Sequence, residues 1–181
     1  MSLEDKFHIE IHCQQLNRSG ERVCGDVFLS KGIREESRMI MVLSDGIGHG
    51  IKANLLATLT STLALSLTKE RKSIGNIAEI ITRTLPYDNE KMLNFATFTI
   101  LDMDQNGNVS VLEYENPRSL FFRGGLTLEP VWNCIVLNEN KFLRKEVLNT
   151  TLKASREDRI IFFSDASKKE YVYERKQRIN G

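Results

Sequence analysis

The sequence predicts an α+β fold built on antiparallel sheets, and three observations lead to that prediction. Strand patterns come first along the chain, two helical patterns follow, and strand patterns then return. Two short apolar runs, at residues 39–43 and 160–163, have the character of strands buried on both faces. Strand and helix patterns do not alternate regularly, as they would in a parallel sheet with crossover helices.

Composition excludes several classes of protein. The 181 residues are enough for one domain of ordinary size. The 25 Lys and Arg against 24 Asp and Glu give a net charge of +1, which excludes the broad basic field of a dedicated nucleic-acid binder. Hydrophobic residues make up 41%, which excludes a wholly disordered chain. We therefore expect a globular domain with no nucleic-acid partner.

The three cysteines indicate a reducing environment. Cys13, Cys24 and Cys134 form no C-x-x-C pair, so a disulfide framework and a thiolate zinc site are both disfavoured. Free thiols are typical of a reducing compartment. The first residues alternate and carry acids, without the apolar segment of a signal peptide. A cytoplasmic location is expected.

The first half of the chain contains three predicted strands and two predicted helices. Alternation at residues 6–15 predicts a half-exposed strand with Cys13 facing inward, and further strands are expected at 27–30 and 39–43. A long helix begins near His49. A second helix is expected at 73–84, with Ser73 as its N-cap and Pro86 just beyond its end.

The uncharged segment 53–68 belongs to the long helix and is not a convincing membrane span. It is shorter than the ~20 apolar residues that a span needs, and it is rich in Ser and Thr. Four leucines repeat at helical spacing, with Ala57 and Ala64 close by: Leu56, Leu59, Leu63 and Leu67. This spacing predicts a buried core helix, and no membrane contact is expected.

The second half of the chain is dominated by strand patterns. Apart from the buried run at 160–163, they lie at residues 95–101, 109–114, 119–123 and 127–132. The segment 102–113 matches a calcium-binding loop in its Asp, Asn, Gly and Glu spacing. A calcium loop of this kind needs flanking helices, whereas Asn106-Gly107 between two strand patterns is a strong hairpin signal. The hairpin is the better prediction.

Three aspartates are placed where strands begin or end. Asp26 follows Gly25 at a strand start, and Asp45 and Asp165 each end a buried strand. Converging carboxylates repel, so one must be protonated or a cation must neutralise them, and oxygen ligands of this kind select Mg²⁺ or Mn²⁺. The alternative is ordinary turn chemistry, which accounts for any single one of these aspartates.

Two other motifs admit a catalytic and a structural interpretation. The glycine loop DGIGHG (45–50) could hold phosphate at a helix N-terminus, but it lacks the Lys-Ser/Thr of a P-loop, and a tight turn is the alternative. The segment 12–19 resembles a cysteine-phosphatase loop. Four residues separate Cys13 from Arg18 where that loop needs five, so Cys13 is interpreted as structural.

Four segments, in order along residues 23–165, resemble the SpoIIE-type branch of the metal-dependent protein phosphatases (PPM). They are VCGDVF (23–28), MIMVLSDGIGHGIKANLLATL (39–59), the segment 94–125 with its Ala-Thr-Phe strand, hairpin and Asn-x-Pro turn, and REDRIIFFSD (156–165). The Ser-Asp-Gly loop with its following helix is the most specific of these matches. The resemblance implies an αββα sandwich, in which helices flank two antiparallel sheets.

The resemblance also implies a site and a reaction. Asp45 would bridge two divalent ions, Mn²⁺ or Mg²⁺. The Gly46 carbonyl would bind one of them, and Asp26 would hold a ligand position either directly or through water. Asp165 would bind the other ion. A hydroxide bridging the ions would attack phosphoserine or phosphothreonine in a protein substrate. His49 is a candidate for binding the phosphate or assisting the leaving group. The alternative is a loop or helix-start residue, since the sequence shows no partner acid nearby.

Two departures from the family pattern bear on completeness. Ala166 stands where the family has Gly, and the sixteen residues after Asp165 do not resemble the helix and last metal-binding strand of the family. We therefore expect an incomplete phosphatase domain at residues 1–166 and a charged tail at 167–181, with weak activity and one ion in place of two. The alternative is a degenerate, non-catalytic module that binds a phosphoprotein or a regulatory partner.

Overall fold

The computed structural model describes residues 8–17, 19–85, 87–88, 93–94, 96–140 and 143–164. The helices are α1 (Gly50–Lys69) and α2 (Ile74–Thr84), with a short 3-10 helix at Arg34–Glu36. The strands are β1 (Asp26–Ile33), β2 (Arg38–Gly46), β3 (Tyr87–Asp88), β4 (Leu93–Asn94), β5 (Ala96–Asp104), β6 (Asn108–Tyr114), β7 (Leu120–Arg123), β8 (Leu126–Leu128), β9 (Asn133–Asn140), β10 (Leu143–Lys153) and β11 (Arg159–Ile161).

The strands form two antiparallel sheets and a small two-stranded ladder. The large sheet has six strands in the order β1-β2-β5-β6-β10-β9, and the smaller one has the order β11-β7-β8. Among the described residues, strands β3 and β4 pair with each other and with no other strand. The predicted α+β class with antiparallel sheets is confirmed.

Two cores lie on opposite faces of the six-stranded sheet. The helix-side core joins α1 and α2 to the sheet through residues such as Ala64, Ile81, Val42 and Phe98. The inter-sheet core joins the two sheets through Met41, Leu101, Val111, Phe121 and their neighbours. Of the αββα arrangement, the described residues contain both sheets and one helix layer.

Helix α2 follows the sequence prediction closely. It spans Ile74–Thr84, and the side chain of its N-cap Ser73 accepts a hydrogen bond from the backbone nitrogen of Asn76 at 3.3 Å. Such a bond satisfies one of the amide groups that the first turn of a helix leaves unpaired. Pro86, expected just beyond the helix, lies outside the described residues.

Helix α1 is a core helix as predicted, but its buried face is not the leucine stripe. The buried positions are occupied by small side chains, namely Gly50, Ala53, Ala57, Thr60, Ser61, Ala64 and Thr68. Leu59 is 49% exposed, and Leu63 and Leu67 are only partly buried. No helix in the described ranges combines the length and apolar character needed to cross a membrane.

Three strand predictions need correction. The run at 160–163 contributes only its first two residues to β11, and it is not buried on both faces, because Ile161 is 48% exposed. Residues 8–15 form no strand; Ile9 and Ile11 instead pack against the inter-sheet core, which accounts for their alternation, and Cys13 is exposed and not inward-facing. The strand expected at 127–132 ends at Leu128. The long pair β9 and β10 has no counterpart in the sequence prediction, because polar residues interrupt its apolar pattern.

Arg38 fixes the C-terminal end of α1 to the sheet. Its guanidinium donates two hydrogen bonds of 2.6 Å to Asp102 on β5 and one of 2.7 Å to the Thr68 carbonyl in the last turn of α1. The hydrogen bonds to Asp102 raise the pKa of Arg38 against the effect of burial, and the Glu36 carboxylate raises it further. The position of α1 is therefore set at this end by a hydrogen bond from an arginine that is itself ion-paired to the sheet.

The β5–β6 hairpin confirms the structural interpretation of the calcium-like segment. Asp104 accepts hydrogen bonds from the backbone nitrogens of Asn106 and Asn108, at 2.8 and 3.0 Å, which stabilise the turn. Asp102 is paired with Arg38, and its neighbour across the ladder is Ser110, so Glu113 projects from the opposite face of the sheet. The oxygens of the motif therefore do not converge.

Calcium is expected not to bind tightly to this hairpin. Isothermal titration of the metal-free protein with Ca²⁺ should give no micromolar heat signal that depends on the turn, because its oxygens already accept hydrogen bonds or lie on opposite faces. Asp104→Ala serves as the test variant, since Asp102 is needed by Arg38. Micromolar binding that disappears in Asp104→Ala would contradict the prediction.

Candidate functional site

Asp26 and Asp45 lie directly opposite each other in the β1–β2 ladder. Facing residues of an antiparallel pair have Cα atoms about 4.5–5.5 Å apart and project to the same face of the sheet. The same register extends to β5, where Thr97 faces Asp45. The structure thus brings two of the three predicted carboxylates side by side at one end of the large sheet.

Ser164, the described residue of the second Ser-Asp motif, lies at the same strand ends. Ser164 Oγ donates a hydrogen bond of 2.6 Å to Asp26 Oδ2, across 138 residues of chain. This contact orients the Asp26 carboxylate from a second part of the chain, the segment that follows β11. Asp165 and Ala166, which follow Ser164, lie outside the described residues, as does the tail at 167–181.

Glycines allow α1 to begin directly against these strand ends. A Cβ on Gly46 would stand 1.9 Å from the backbone oxygen of Ala53, and one on Gly25 would stand 3.2 Å from the Ala53 Cβ. Gly46 also donates a backbone hydrogen bond of 3.3 Å to the Gly25 carbonyl. The first turn of α1 is therefore seated on the same strand ends that carry Asp26 and Asp45.

His49 has an acid partner that the sequence does not reveal. Its Nδ1 lies 2.5 Å from Glu21 Oε1, so the expectation of no nearby acid is wrong. The two residues are 28 positions apart, and no spacing pattern connects them. His49 is the N-cap residue of α1 but makes no side-chain capping bond, and its side chain is 62% exposed.

The charge of Glu21 argues against phosphate binding by the glycine loop. A negative charge beside the first turn of α1 satisfies the positive end of the helix dipole, which an anion cradle would need to keep free. Gly48 and Gly50 have positive φ angles of 101° and 67°. The loop 45–50 is therefore better described as a tight glycine turn than as a phosphate cradle.

A polar cluster borders the carboxylates on the inter-sheet face. Thr97 donates a hydrogen bond to the Asn116 side-chain oxygen, and the Asn116 amide donates one of 3.0 Å to Thr99 Oγ1. These bonds hold the loop between β6 and β7 against β5, next to Asp45. Sequence patterns do not single out Thr97 or Asn116 as partners, although the Asn-x-Pro turn belongs to the family resemblance.

Glu113 lies further along this face and is buried. Its Oε1 accepts two hydrogen bonds from Ser119, at 2.7 Å from the backbone nitrogen and 2.5 Å from Oγ. Its Oε2 has no hydrogen-bond partner among the described residues. Burial raises the pKa of Glu113, although the Ser119 hydrogen bonds and the charge of Arg118 act in the opposite direction.

Cys24 lies near Asp26 and Asp45 but is disfavoured as a nucleophile. Burial raises the pKa of the Cys24 thiol, and the nearby charges of Asp26 and Asp45 raise it further, although a backbone hydrogen bond from Asp26 acts in the opposite direction. A thiol held neutral is neither a nucleophile nor a metal ligand. All three cysteines are free, and Cys13 and Cys134 are exposed.

The donors at the strand ends suit a hard divalent cation. The described residues contain no group of three or more His, Cys, Asp or Glu placed to hold a metal ion. They do contain two facing carboxylates and the adjacent carbonyl of Gly46, all oxygen donors of the kind that Mg²⁺ and Mn²⁺ prefer. Like charges directly opposite in a ladder are destabilising, and a cation between them removes that cost. These residues therefore fit one ion.

Known proteins similar to this chain are phosphatases. The family model of Stage II sporulation protein E (SpoIIE) matches residues 35–167, a range that includes Asp45, Gly46, His49 and Asp165. Phosphoserine phosphatase RsbX of Bacillus subtilis (strain 168) is 30% identical over 106 residues, which are 58% of this chain and 48% of RsbX. The match thus spans about half the length of that relative.

Solved structures share the fold. A crystal structure of RsbX in complex with magnesium superposes with a TM-score of 0.61 at 20% identity, covering 84% of this chain and 71% of the other. The structure of the PP2C phosphatase domain with a fragment of the regulatory domain of SpoIIE from Bacillus subtilis gives 0.63 at 17% identity, covering 84% and 44%. At these identities the likeness shows a shared fold.

Proposed function

This chain belongs to the Stage II sporulation protein E (SpoIIE) family of PP2C-like phosphatases, and from that premise we propose that it hydrolyses phosphoserine or phosphothreonine in a protein substrate with a divalent metal. The observation that carries the proposal is the register of β1 and β2, which sets Asp26 directly opposite Asp45, with Ser164 hydrogen-bonded to Asp26. We further propose a cytoplasmic location, supported by the three free thiols.

The metal would be held by the residues at the strand ends. In the proposal, Asp45 is the central ligand. Asp26, directly or through water, and the Gly46 carbonyl bind the same ion beside it, and Asp165 binds a second ion. When bound, Mn²⁺ or Mg²⁺ would lower the pKa of coordinated water and neutralise charge on the phosphoryl oxygens. The donors in the described residues support one ion, and the proposed domain extends over residues 1–166.

The protein contributes orientation. Asp45 lies on β2 between β1 and β5 in the ladder, so strands on both sides fix its position. Ser164 donates to one oxygen of Asp26 and leaves the other available to a ligand. The hydrogen bonds of Asn116 with Thr97 and Thr99 fix the β5 neighbour of Asp45. Carboxylates held in this way lose little freedom on binding a cation or a phosphate group.

A non-catalytic role is the second candidate. Two carboxylates in the described residues are few for two cations, and Ala166 stands where the family glycine leaves the backbone free to turn. Such a module would bind a phosphorylated protein or a regulatory partner without turning it over. Binding without turnover is therefore the signature that separates the two functions.

Phosphatase activity is expected to rise steeply with added Mn²⁺. The metal-free protein would be assayed on a phosphoserine peptide across a Mn²⁺ titration, because an incomplete ligand set binds the ion weakly. Full turnover in the presence of EDTA would contradict metal dependence, and strong turnover at trace Mn²⁺ would contradict the weak site. Saturable binding of the phosphopeptide with no turnover at any Mn²⁺ concentration would establish the non-catalytic alternative.

A further inference from the structure

We propose that Glu21 is a positioning residue for the phosphatase reaction, which holds the His49 ring so that its Nε2 can deliver a proton to the leaving oxygen of the substrate serine or threonine. The inference rests on the proposed function and adds an acid–histidine pair to it. Glu21 lies outside the residues matched by the family model.

The hydrogen bond fixes the protonation pattern of the imidazole. An ionised carboxylate can only accept hydrogen bonds, so the 2.5 Å contact with Glu21 Oε1 requires a proton on His49 Nδ1. The second ring nitrogen, Nε2, is then the one that exchanges protons with a partner. The Glu21 side chain is 28% exposed against 62% for His49, so the acid is the more enclosed member of the pair.

The Glu21 carboxylate fits against the glycine turn because residue 50 has no side chain. A Cβ on Gly50 would stand 2.5 Å from Glu21 Oε2, and the φ angle of +67° at Gly50 is one that other residues rarely adopt. Residue 50 is also the first residue of α1, whose first turn contacts Gly46 through Ala53. The pair is thus attached to the same turn that leads away from Asp45.

The proton balance of the step is simple. A water oxygen forms the new bond to phosphorus, the bond from phosphorus to the serine oxygen breaks, and that oxygen leaves with the electron pair. The proton on Nε2 of the imidazolium moves to this oxygen, and the neutral His49 keeps its Nδ1 proton, which it donates to Glu21 in a hydrogen bond. The proton lost by the attacking water restores the imidazolium through solvent.

A purely structural role for Glu21 predicts a different outcome. A carboxylate beside the first turn of α1 stabilises the helix through its dipole, and its loss would then lower stability and slow every substrate equally. Proton delivery matters only when the leaving group is basic. A serine alkoxide needs the proton, whereas p-nitrophenolate departs without one.

The experiment compares Glu21→Gln with wild type on a phosphoserine peptide and on p-nitrophenyl phosphate, both at saturating Mn²⁺. We expect kcat to fall about tenfold on the peptide and less than about twofold on p-nitrophenyl phosphate. The tenfold loss is part of the ~100-fold that a proton donor contributes. His49→Gln should also lower kcat on the peptide, and the double variant with Glu21→Gln should lose no more than His49→Gln alone. Glu10→Gln is the matched control, because Glu10 pairs with His8 at 3.5 Å on the exposed surface.

Nitrogen-15 spectra of the imidazole provide a readout that needs no metal and no activity. In its neutral form, wild-type His49 is expected to carry its proton on Nδ1, and Glu21→Gln to shift the neutral ring toward the Nε2-protonated tautomer. A neutral wild-type ring protonated on Nε2 alone, or equal losses on both substrates, would overturn the inference and leave the phosphatase intact. A wild-type protein inactive on both substrates would overturn the proposed function and, with it, the proton delivery.

Discussion

Asp45→Asn is expected to abolish Mn²⁺ binding and phosphatase activity while the fold survives. The change keeps the shape of the side chain and removes the charge of the proposed central ligand, which lies between Asp26 and Thr97 in the ladder. Loss of groups that only support a ligand costs about 10–100-fold, so loss of the ligand itself should exceed about 100-fold. Titration calorimetry with Mn²⁺, a phosphopeptide assay and a thermal melt measure the three parts of the expectation.

The control for this variant is Asp104→Asn, at the far end of the same ladder. Asp104 faces Arg38 and not Asp26, and an asparagine there can keep the turn that Asp104 stabilises. It should leave metal binding and turnover at wild-type levels. If Asp45→Asn kept wild-type turnover or Mn²⁺ affinity, the assignment of the metal site to these strand ends would be wrong.

Gly46→Ala is expected to destabilise the protein by about 3 kcal/mol. The new Cβ would stand 1.9 Å from the Ala53 backbone oxygen, and a helix backbone cannot move aside as a flexible side chain could. Helix α1 would have to move away from the strand ends, while Arg38 still holds its other end. Chemical denaturation should show the loss, and Mn²⁺ affinity should fall with it.

Gly75→Ala is the matched control, because a Cβ at that position in α2 meets nothing within 4 Å. Replacing a helical glycine by alanine stabilises by about 0.5–1 kcal/mol, so this variant should be slightly more stable than wild type. A Gly46→Ala protein as stable as wild type would show that α1 does not depend on its close seat against the strands.

Local pattern predicted those elements whose signal lies in neighbouring residues. The apolar run at 39–43 gave β2, and Ser73 gave the start of α2. For α1, the burial of Ala57 and Ala64 agrees with the prediction, but the leucines do not form the buried face, for a physical reason. Spacing identifies the leucines as an apolar stripe, but the close approach of Ala53 to Gly46 and Gly25 leaves room only for small side chains against the sheet.

The candidate site likewise contains residues that sequence motifs predict and residues that only the fold brings together. The Gly-Asp and Ser-Asp-Gly motifs pointed to Asp26 and Asp45, and the register of β1 and β2 is what makes them neighbours. Glu21 and Asn116 could not be found from spacing, because each meets its partner only through the fold. His49 lies 28 residues from Glu21, and Thr97 lies 19 residues from Asn116.

Glu113 makes folding of this chain a proton-uptake reaction over part of the pH scale. Because burial raises its folded-state pKa, its contribution to stability is full below its unfolded pKa and is lost as the pH rises through the folded value. Asp158 has the opposite linkage. Hydrogen bonds from Arg123 hold its pKa low, so its contribution is present above the unfolded pKa and is lost as the pH falls through the folded one. Falling pH thus weakens the ion pair between Arg123 and Asp158, whereas rising pH places a charge on the buried Glu113 between the two sheets.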